Sequence, residues 1–418
     1  MKKLSFFLIV CFLILPLYVY AANNNSGDSL NDNGRSAFRI SDRIFEVGLN
    51  FNLSLSNNYL AITDIFQETL YLDIDKLADG FNMNLGIGVT PFYFSFNSRK
   101  GWGFGLSTNI EGTGVLGLSG NMLTLSEANN DKSNLSGAIF AELGIDTHFY
   151  IQKFKITFRP AVYYTLAYVE PDISYTFSHR DGTVLNIGYD MRVYTPFSME
   201  NFSLEKFNFQ NDFTGTPGFD FSFGVEYPLS SVIGLDKKIR LLDFDVGVNF
   251  INIPIMPSQL NNYMRLFGGV GGRDPVKISD GDGFDGVFDS FVESNDPEYG
   301  EANRKIERPF RMNAWVNWRP FGNKLLTVTP SAGFSINALY IDPFSFEFGL
   351  KTRLDLANIF IVTAGVCYED RLWINSVALA LNFRVFELDI GADIRSQDFL
   401  TSWSGNGIGL NLGLKFGW

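Results

Sequence analysis

The sequence predicts an all-β chain, a transmembrane antiparallel up-and-down β-barrel of about 14–16 strands. Three observations predict it. Apolar residues recur at every second position through most of the chain. Charged residues stand on the opposite face of the same strands, far from their ends. The last strand alternates too, with Leu412, Leu414, Phe416 and Trp418 on one face. Composition agrees: 42 Phe, 40 Gly and 16% aromatic residues suit many strands better than helices.

The first segment predicts export. Lys2 and Lys3 precede an uncharged run over 4–20, and Val19-Tyr20-Ala21 has the small-x-small pattern of a cleavage site. The expectation is a signal peptide over 1–21. The run holds Pro16 and no basic stop-transfer cluster follows, which disfavours a membrane anchor. Residues 1–21 hold two of the 33 basic residues and none of the 45 acidic ones, so the remainder carries a net charge of −14. A surface that acidic excludes nucleic acid as a partner, because phosphate binding needs a basic face. Cys11 leaves with the signal, so Cys367 stands alone and no intrachain disulfide can form.

A polar leader is expected over 22–43 and the barrel over 44–418. From Phe45 to Leu55 every odd position is apolar and every even one polar or Gly, so one face is greasy and the other wet. Residues 60–79 break this rhythm, with apolar residues at 62, 65, 66, 70 and 77, and read as a helix ending at Gly80. Alternation resumes at 81–89 and 102–110, then over 135–149 and 154–168. Shorter runs lie at 173–178, 184–194 and 219–227. Further strands are expected at 242–250, 310–318, 325–337, 344–354, 359–368, 373–383, 386–394 and 406–418. The segments 111–134, 195–218 and 254–309 read as long irregular connections.

Three features choose a membrane barrel over a soluble sandwich: charge deep within the polar faces, strands of about 10–15 residues that suit a tilted crossing of the hydrocarbon layer, and the alternating final strand. Lys155, Arg159, Arg311, Glu347, Lys351, Arg353, Glu387 and Asp389 lie on the polar faces and are expected to line a lumen. Closing the sheet also satisfies every backbone N–H and C=O without an edge, which lipid requires. If the last strand runs toward the periplasm, the short turns near 98–101, 150–153, 179–183, 319–324, 355–358 and 384–385 fall on that side. The three long connections then fall outside, as short inner turns and long outer loops demand.

Chemical motifs are sparse. His148 lies on a polar strand face and His179 in a turn, with no serine paired to either, so no enzyme is expected. Asp280, Asp282 and Asp285 are closely spaced oxygen donors that suit Ca²⁺. Phe284 occupies the third ligand place of an EF-hand loop, however, and a solvated acidic loop is the favoured reading.

The C-terminal half resembles FadL-like outer-membrane barrels, the fatty-acid transporter class. The carrying residues are the strand from Asp243 into Asn252-Ile253-Pro254, a long insertion, Arg308-Pro309-Phe310-Arg311 opening the next strand, and the closing hairpins to Trp418. Residues 72–80 are also similar to a segment of exported relatives. The chain departs from the class in lacking the Asn-Pro-Ala motif of its N-terminal hatch. The resemblance implies a location in the bacterial outer membrane and passive uptake of hydrophobic molecules without a cofactor. The final strand, through Leu412, Leu414, Phe416 and Trp418, resembles the signal read by the outer-membrane assembly machinery. The expected partners are that machinery, outer-membrane lipids and a small or hydrophobic cargo. The alternative expectation is a surface-exposed structural or adhesive barrel with a closed lumen.

Overall fold

The computed structural model describes residues 43–58, 80–98, 101–120, 128–179, 183–200, 212–229, 243–271, 296–321, 325–340, 343–357, 359–383, 385–403 and 405–417. The signal peptide expected over 1–21, the leader up to residue 42, the helix expected over 60–79, Trp418 and the acidic residues Asp280, Asp282 and Asp285 lie outside them. The strands are β1 (Phe45–Asn57), β2 (Phe81–Ser98), β3 (Trp102–Leu118), β4 (Ala128–Ile151), β5 (Phe154–His179) and β6 (Thr183–Thr195). They continue with β7 (Gly218–Tyr227), β8 (Asp243–Met256), β9 (Ser258–Gly271), β10 (Glu298–Ile306), β11 (Phe310–Arg319) and β12 (Leu326–Ile336). The last five are β13 (Phe344–Leu356), β14 (Phe360–Glu369), β15 (Leu372–Asn382), β16 (Phe386–Ser396) and β17 (Gly407–Gly417).

Antiparallel pairing runs from β1 through β5 to β7 and β8, then to β11 and onward to β17. The last strand returns to the first, from Glu46↔Gly417 to Ser56↔Gly407. Fourteen strands therefore form a closed ring with no free edge.

The period-two pattern sets the two faces. In β1, Leu49, Phe51, Leu53 and Leu55 are exposed on the outside. Asn50, Asn52, Ser54 and Ser56 between them are buried. The same inversion runs around the ring: Phe346, Leu350, Val362, Ile390 and Leu410 face out, while Glu347, Thr363, Asp389 and Asn411 are buried. An apolar surface of this extent belongs in lipid. Aromatic pairs mark both rims. Phe154–Tyr227, Phe386–Phe416 and Phe96–Trp102 stand at the short-turn end, with centroids 4.5, 5.3 and 5.5 Å apart. Phe348–Trp373 and Trp373–Phe399 stand at the other, at 5.2 and 4.7 Å.

Three strands lie beyond the ring. The first half of β5 pairs with β7, from Lys155↔Glu226 to Tyr163↔Gly218. Its second half pairs with β6, from Tyr168↔Tyr194 to His179↔Thr183. Then β6 pairs with β9, and β9 with β10. Ser258 sits at the fork, where its Oγ accepts from the Thr165 N–H at 3.0 Å.

This outer sheet corrects several expectations. Residues 154–168 and 173–178 belong to one strand rather than two. The stretch 254–309 holds β9 and β10 instead of being irregular throughout. Much of 111–134 extends β3 and β4. The His179–Thr183 connection lies at the far end of β5 from the Ile151–Phe154 turn, hence on the long-loop side and not with the short turns. Counting from one side to the other at each hairpin fails there, because β6 turns back without crossing the ring.

Candidate functional site

Inward-facing residues are arranged by a simple steric rule. A bulky side chain on one strand lies over a glycine on its neighbour. Trp315 covers Gly247, Tyr93 covers Gly48, Tyr163 covers Gly218 and Arg159 covers Gly144; His148, which is buried, covers Gly103. Any Cβ at those glycines would collide with the covering group. Large groups thus lie along the wall in place of projecting across the lumen.

The ionic groups fall into clusters. On one wall Arg159 binds Glu142 and approaches Asp146 at 3.3 Å. Arg308, from the link before β11, donates from Nε and Nη2 to the two Asp220 oxygens, both at 2.7 Å, and also pairs with Glu142. Its guanidinium lies 5.0 Å from the Tyr163 ring centroid. A guanidinium fork on a carboxylate is the strongest form of such a pair, and here it ties β7 to the link before β11.

Further round the ring Arg311 is bound by Glu347 at 3.0 Å, Glu369 at 2.7 Å and Asp370 at 3.1 Å. Near the short-turn end Lys415 reaches Glu387 at 3.0 Å and Asp389 at 2.6 Å. Arg43 joins Glu387 at 2.8 Å. Arg353 contacts Asp355 at 3.3 Å. Lys155 and Lys351 occupy inward positions of β5 and β13, in register with Glu226 and Thr329. Every lumen-lining candidate read from the sequence therefore lies on the inner face. Sequence reasoning passed over Glu142, Asp146, Asp220, Arg308, Glu369 and Asp370, which complete the clusters. For the strand residues among them the signal was present, since they alternate with apolar neighbours. Arg308 lies outside any strand, where alternation says nothing.

Above the charged layer, at the long-loop end, lies an apolar cluster of Phe140, Tyr163, Tyr168, Tyr194, Leu260, Ile306 and Leu339, with Ala138. The connections fold inward to build it: Tyr163 donates to the Ile306 carbonyl at 3.1 Å and Ser136 to that of Leu339 at 2.6 Å. Further out, on β6 and β9, Arg265 forks onto Asp190 at 2.8 Å and reaches Glu298 at 3.1 Å. Hydrogen bonding from Arg265 holds the Asp190 carboxyl below its ordinary range. In the final strand Leu412, Leu414 and Phe416 face outward, opposite Phe51, Leu49 and Val47 of β1. Among the described residues no cluster of His, Cys, Asp and Glu is arranged to hold a metal ion.

A closed ring with an apolar exterior, aromatic rims and a charged interior defines a transmembrane β-barrel. Its fold is similar to that of the toluene transporter TodX from Pseudomonas putida, at 10% identity and a TM-score of 0.50, covering 96% of this chain and 95% of that one. A TodX deltaS2S3 mutant, described as a monoaromatic hydrocarbon channel, gives 9% identity and a TM-score of 0.51 over 96% and 99%. A FadL homologue from Pseudomonas aeruginosa gives 10% identity and a TM-score of 0.48 over 96% and 99%. No protein-family model and no curated protein matches the sequence. The resemblance to FadL-like barrels thus holds as one of fold.

Proposed function

We propose that the protein is a passive channel of the bacterial outer membrane for small molecules, hydrophobic ones among them. The observation that carries this reading is the inversion of faces around a closed ring: lipid-compatible outside, ion-paired and polar within. The predicted signal peptide supports export across the inner membrane. With the final strand running toward the periplasm, β6, β9 and β10 stand outside the cell. The cluster of Phe140, Tyr163, Tyr168 and Tyr194 then lies at the outer mouth, where it offers an apolar reception surface. The names of the fold neighbours, a toluene transporter and a hydrocarbon channel, support an apolar cargo.

Conductance of the purified protein in a planar bilayer, with toluene uptake by proteoliposomes, tests this. Step-like conductance or protein-dependent uptake supports the channel. A silent bilayer together with no uptake rejects it. A second reading, a surface-exposed structural or adhesive barrel, is favoured by the outer sheet of β6, β9 and β10 and by the Arg308 lock, and would survive that result.

A further inference from the structure

The outer sheet carries two rows of side chains on the face that holds Tyr168 and Tyr194. Register sets both. In the first row Tyr168 stands opposite Tyr194, Tyr194 opposite Tyr263, and Tyr263 opposite Gly300. Two residues further along each strand, Glu170 stands opposite Arg192, Arg192 opposite Arg265, and Arg265 opposite Glu298. Opposite residues on one face have Cβ atoms about 4.5–5.5 Å apart, so the two arginines are immediate neighbours and the two acids stand at the ends. Arg304 of β10 joins them, its guanidinium 5.5 Å from the Tyr168 ring centroid and 6.0 Å from that of Tyr194.

The ion pairs are unevenly shared. Arg265 forks onto Asp190 and also reaches Glu298. Arg304 takes Glu170 at 2.6 Å. Those three carboxylates are thereby engaged, while Arg192 forms no ion pair among the described residues. Its nearest carboxylates, Glu170 across the strand and Asp190 two residues back, are each held by another arginine. Like charges directly opposite on a sheet repel, and Arg192 and Arg265 are so placed. Three carboxylates match three guanidiniums, so no surplus of charge draws a ligand here; the open N–H donors of Arg192 do.

Arg192, Arg265 and Arg304 line one cavity of about 400 Å³, together with Tyr194 and Tyr263. Glu301 borders it too, but alternation turns its side chain to the other face, with its register partner Asn262. The pocket therefore presents guanidiniums and phenols on this face, with the carboxylates set behind them. We propose that it binds a phosphate monoester, with the Arg192 fork on two phosphate oxygens. A planar guanidinium matches phosphate and carboxylate alike. A carboxylate offers its oxygens in one plane to one fork, whereas a phosphate offers three oxygens in different directions, as donors arriving from β6, β9 and β10 require. The cavity also leaves room for the organic part of the ester. A hydrocarbon there would strip water from the arginines without replacing it. This site does not depend on whether the lumen conducts.

The phosphate has two possible sources, a free solute and a lipid headgroup, and titration calorimetry separates them. The folded protein, in phosphate-free detergent solution, is titrated with sn-glycerol 3-phosphate, with dioctanoyl phosphatidic acid, and with sodium acetate and glycerol as controls. Binding of a phosphate ester is expected, with acetate at least roughly tenfold weaker and glycerol silent. Phosphatidic acid binding more tightly than glycerol 3-phosphate assigns a lipid headgroup, and the reverse order or equality assigns a free solute. Arg192→Gln is expected to weaken binding by about tenfold or more, the loss of one charged fork. Because Arg192 holds no ion pair, that variant should keep its heat-modifiable folded band. Lys305→Gln, whose side chain alternation places on the other face, is expected to bind like the wild type. No binding of either ester, acetate bound as well as phosphate, or an affinity untouched by Arg192→Gln in the folded variant would each overturn the proposal.

Discussion

The Trp315 ring of β11 lies over Gly247 of β8, its register partner, so that the space of a missing side chain is filled by the indole. Trp315 is only 3% exposed, on the inward face of β11. Gly247→Val should therefore destabilise the barrel by about 1–3 kcal/mol, the usual range for overpacking. The check is the urea midpoint of the heat-modifiable folded band. Trp315→Leu in the Gly247→Val background should recover part of the loss.

Position relative to lipid makes a sharper contrast. Leu350 is 48% exposed at the middle of β13, and its neighbour Lys351 points inward. Leu350→Arg should cost about 2–4 kcal/mol near the bilayer midplane. Lys351→Arg should be nearly neutral. Folding into liposomes followed by denaturant titration reads both, and equal damage at the two positions would remove the assignment of the apolar face to lipid.

Arg308 holds Asp220 and Glu142 together in a buried setting. Arg308→Met leaves the Asp220 carboxylate without its forked cation and Glu142 with Arg159 alone, and should destabilise by about 3–5 kcal/mol, as breaking a buried pair does. Adding Asp220→Asn and Glu142→Gln removes the stranded charge and should return much of that stability. The melting temperatures of the wild type, Arg308→Met and the triple variant decide it. A triple variant no better than Arg308→Met would show that the lock is not electrostatic.

The outer sheet should respond to acid. Arg265 holds the Asp190 carboxyl below its ordinary value of 3.8. A depressed carboxyl contributes stability that is fully present above the ordinary value and is lost as pH falls through the depressed one. Amide protection factors in β6 and β9, each corrected for intrinsic exchange at its own pH, should thus be lower below about pH 4 than at pH 7. Asp190→Asn should show low protection factors at both pH values. Indifference of the wild type to pH would sever Asp190 from the stability of the sheet.

The seam between β17 and β1 places Leu412 against Phe51 and Leu414 against Leu49. One residue inserted after Gly413 reverses the faces of the last residues of β17, turning Leu414 and Phe416 inward and Lys415 toward lipid. Such a chain should be made and exported yet fail to reach the membrane. Deleting 416–418 should do the same. Surface biotinylation measures both variants, and wild-type levels would refute a role of this strand in closure.

Much of the ring was legible because lipid on one side and a polar interior on the other impose a strict period of two on sequences such as Phe45 to Leu55. The outer sheet was harder to read because neither of its faces meets lipid. Strand β10, Glu-Tyr-Gly-Glu-Ala-Asn-Arg-Lys-Ile, has no apolar stripe. Glu170-Pro171-Asp172 interrupts the alternation of β5, yet Pro171 pairs in register with Met191. The charged lining was readable one strand at a time, but its partnerships were not. Nothing in the order of residues says that Arg308 meets Asp220, 88 positions earlier.

The continuity of β5 has a mechanical consequence. Its 26 residues, at about 3.3 Å each, form an unbroken rod of roughly 85 Å. Less than half of that is needed to reach Tyr163, the last residue it pairs with β7. The remainder is a mast, braced by β4 along one side and rooted in the wall itself rather than hung on a hinge. Whatever touches the sheet at its top is held at a fixed distance from the ring, and a sideways push there is delivered as torque to the strand that carries Arg159.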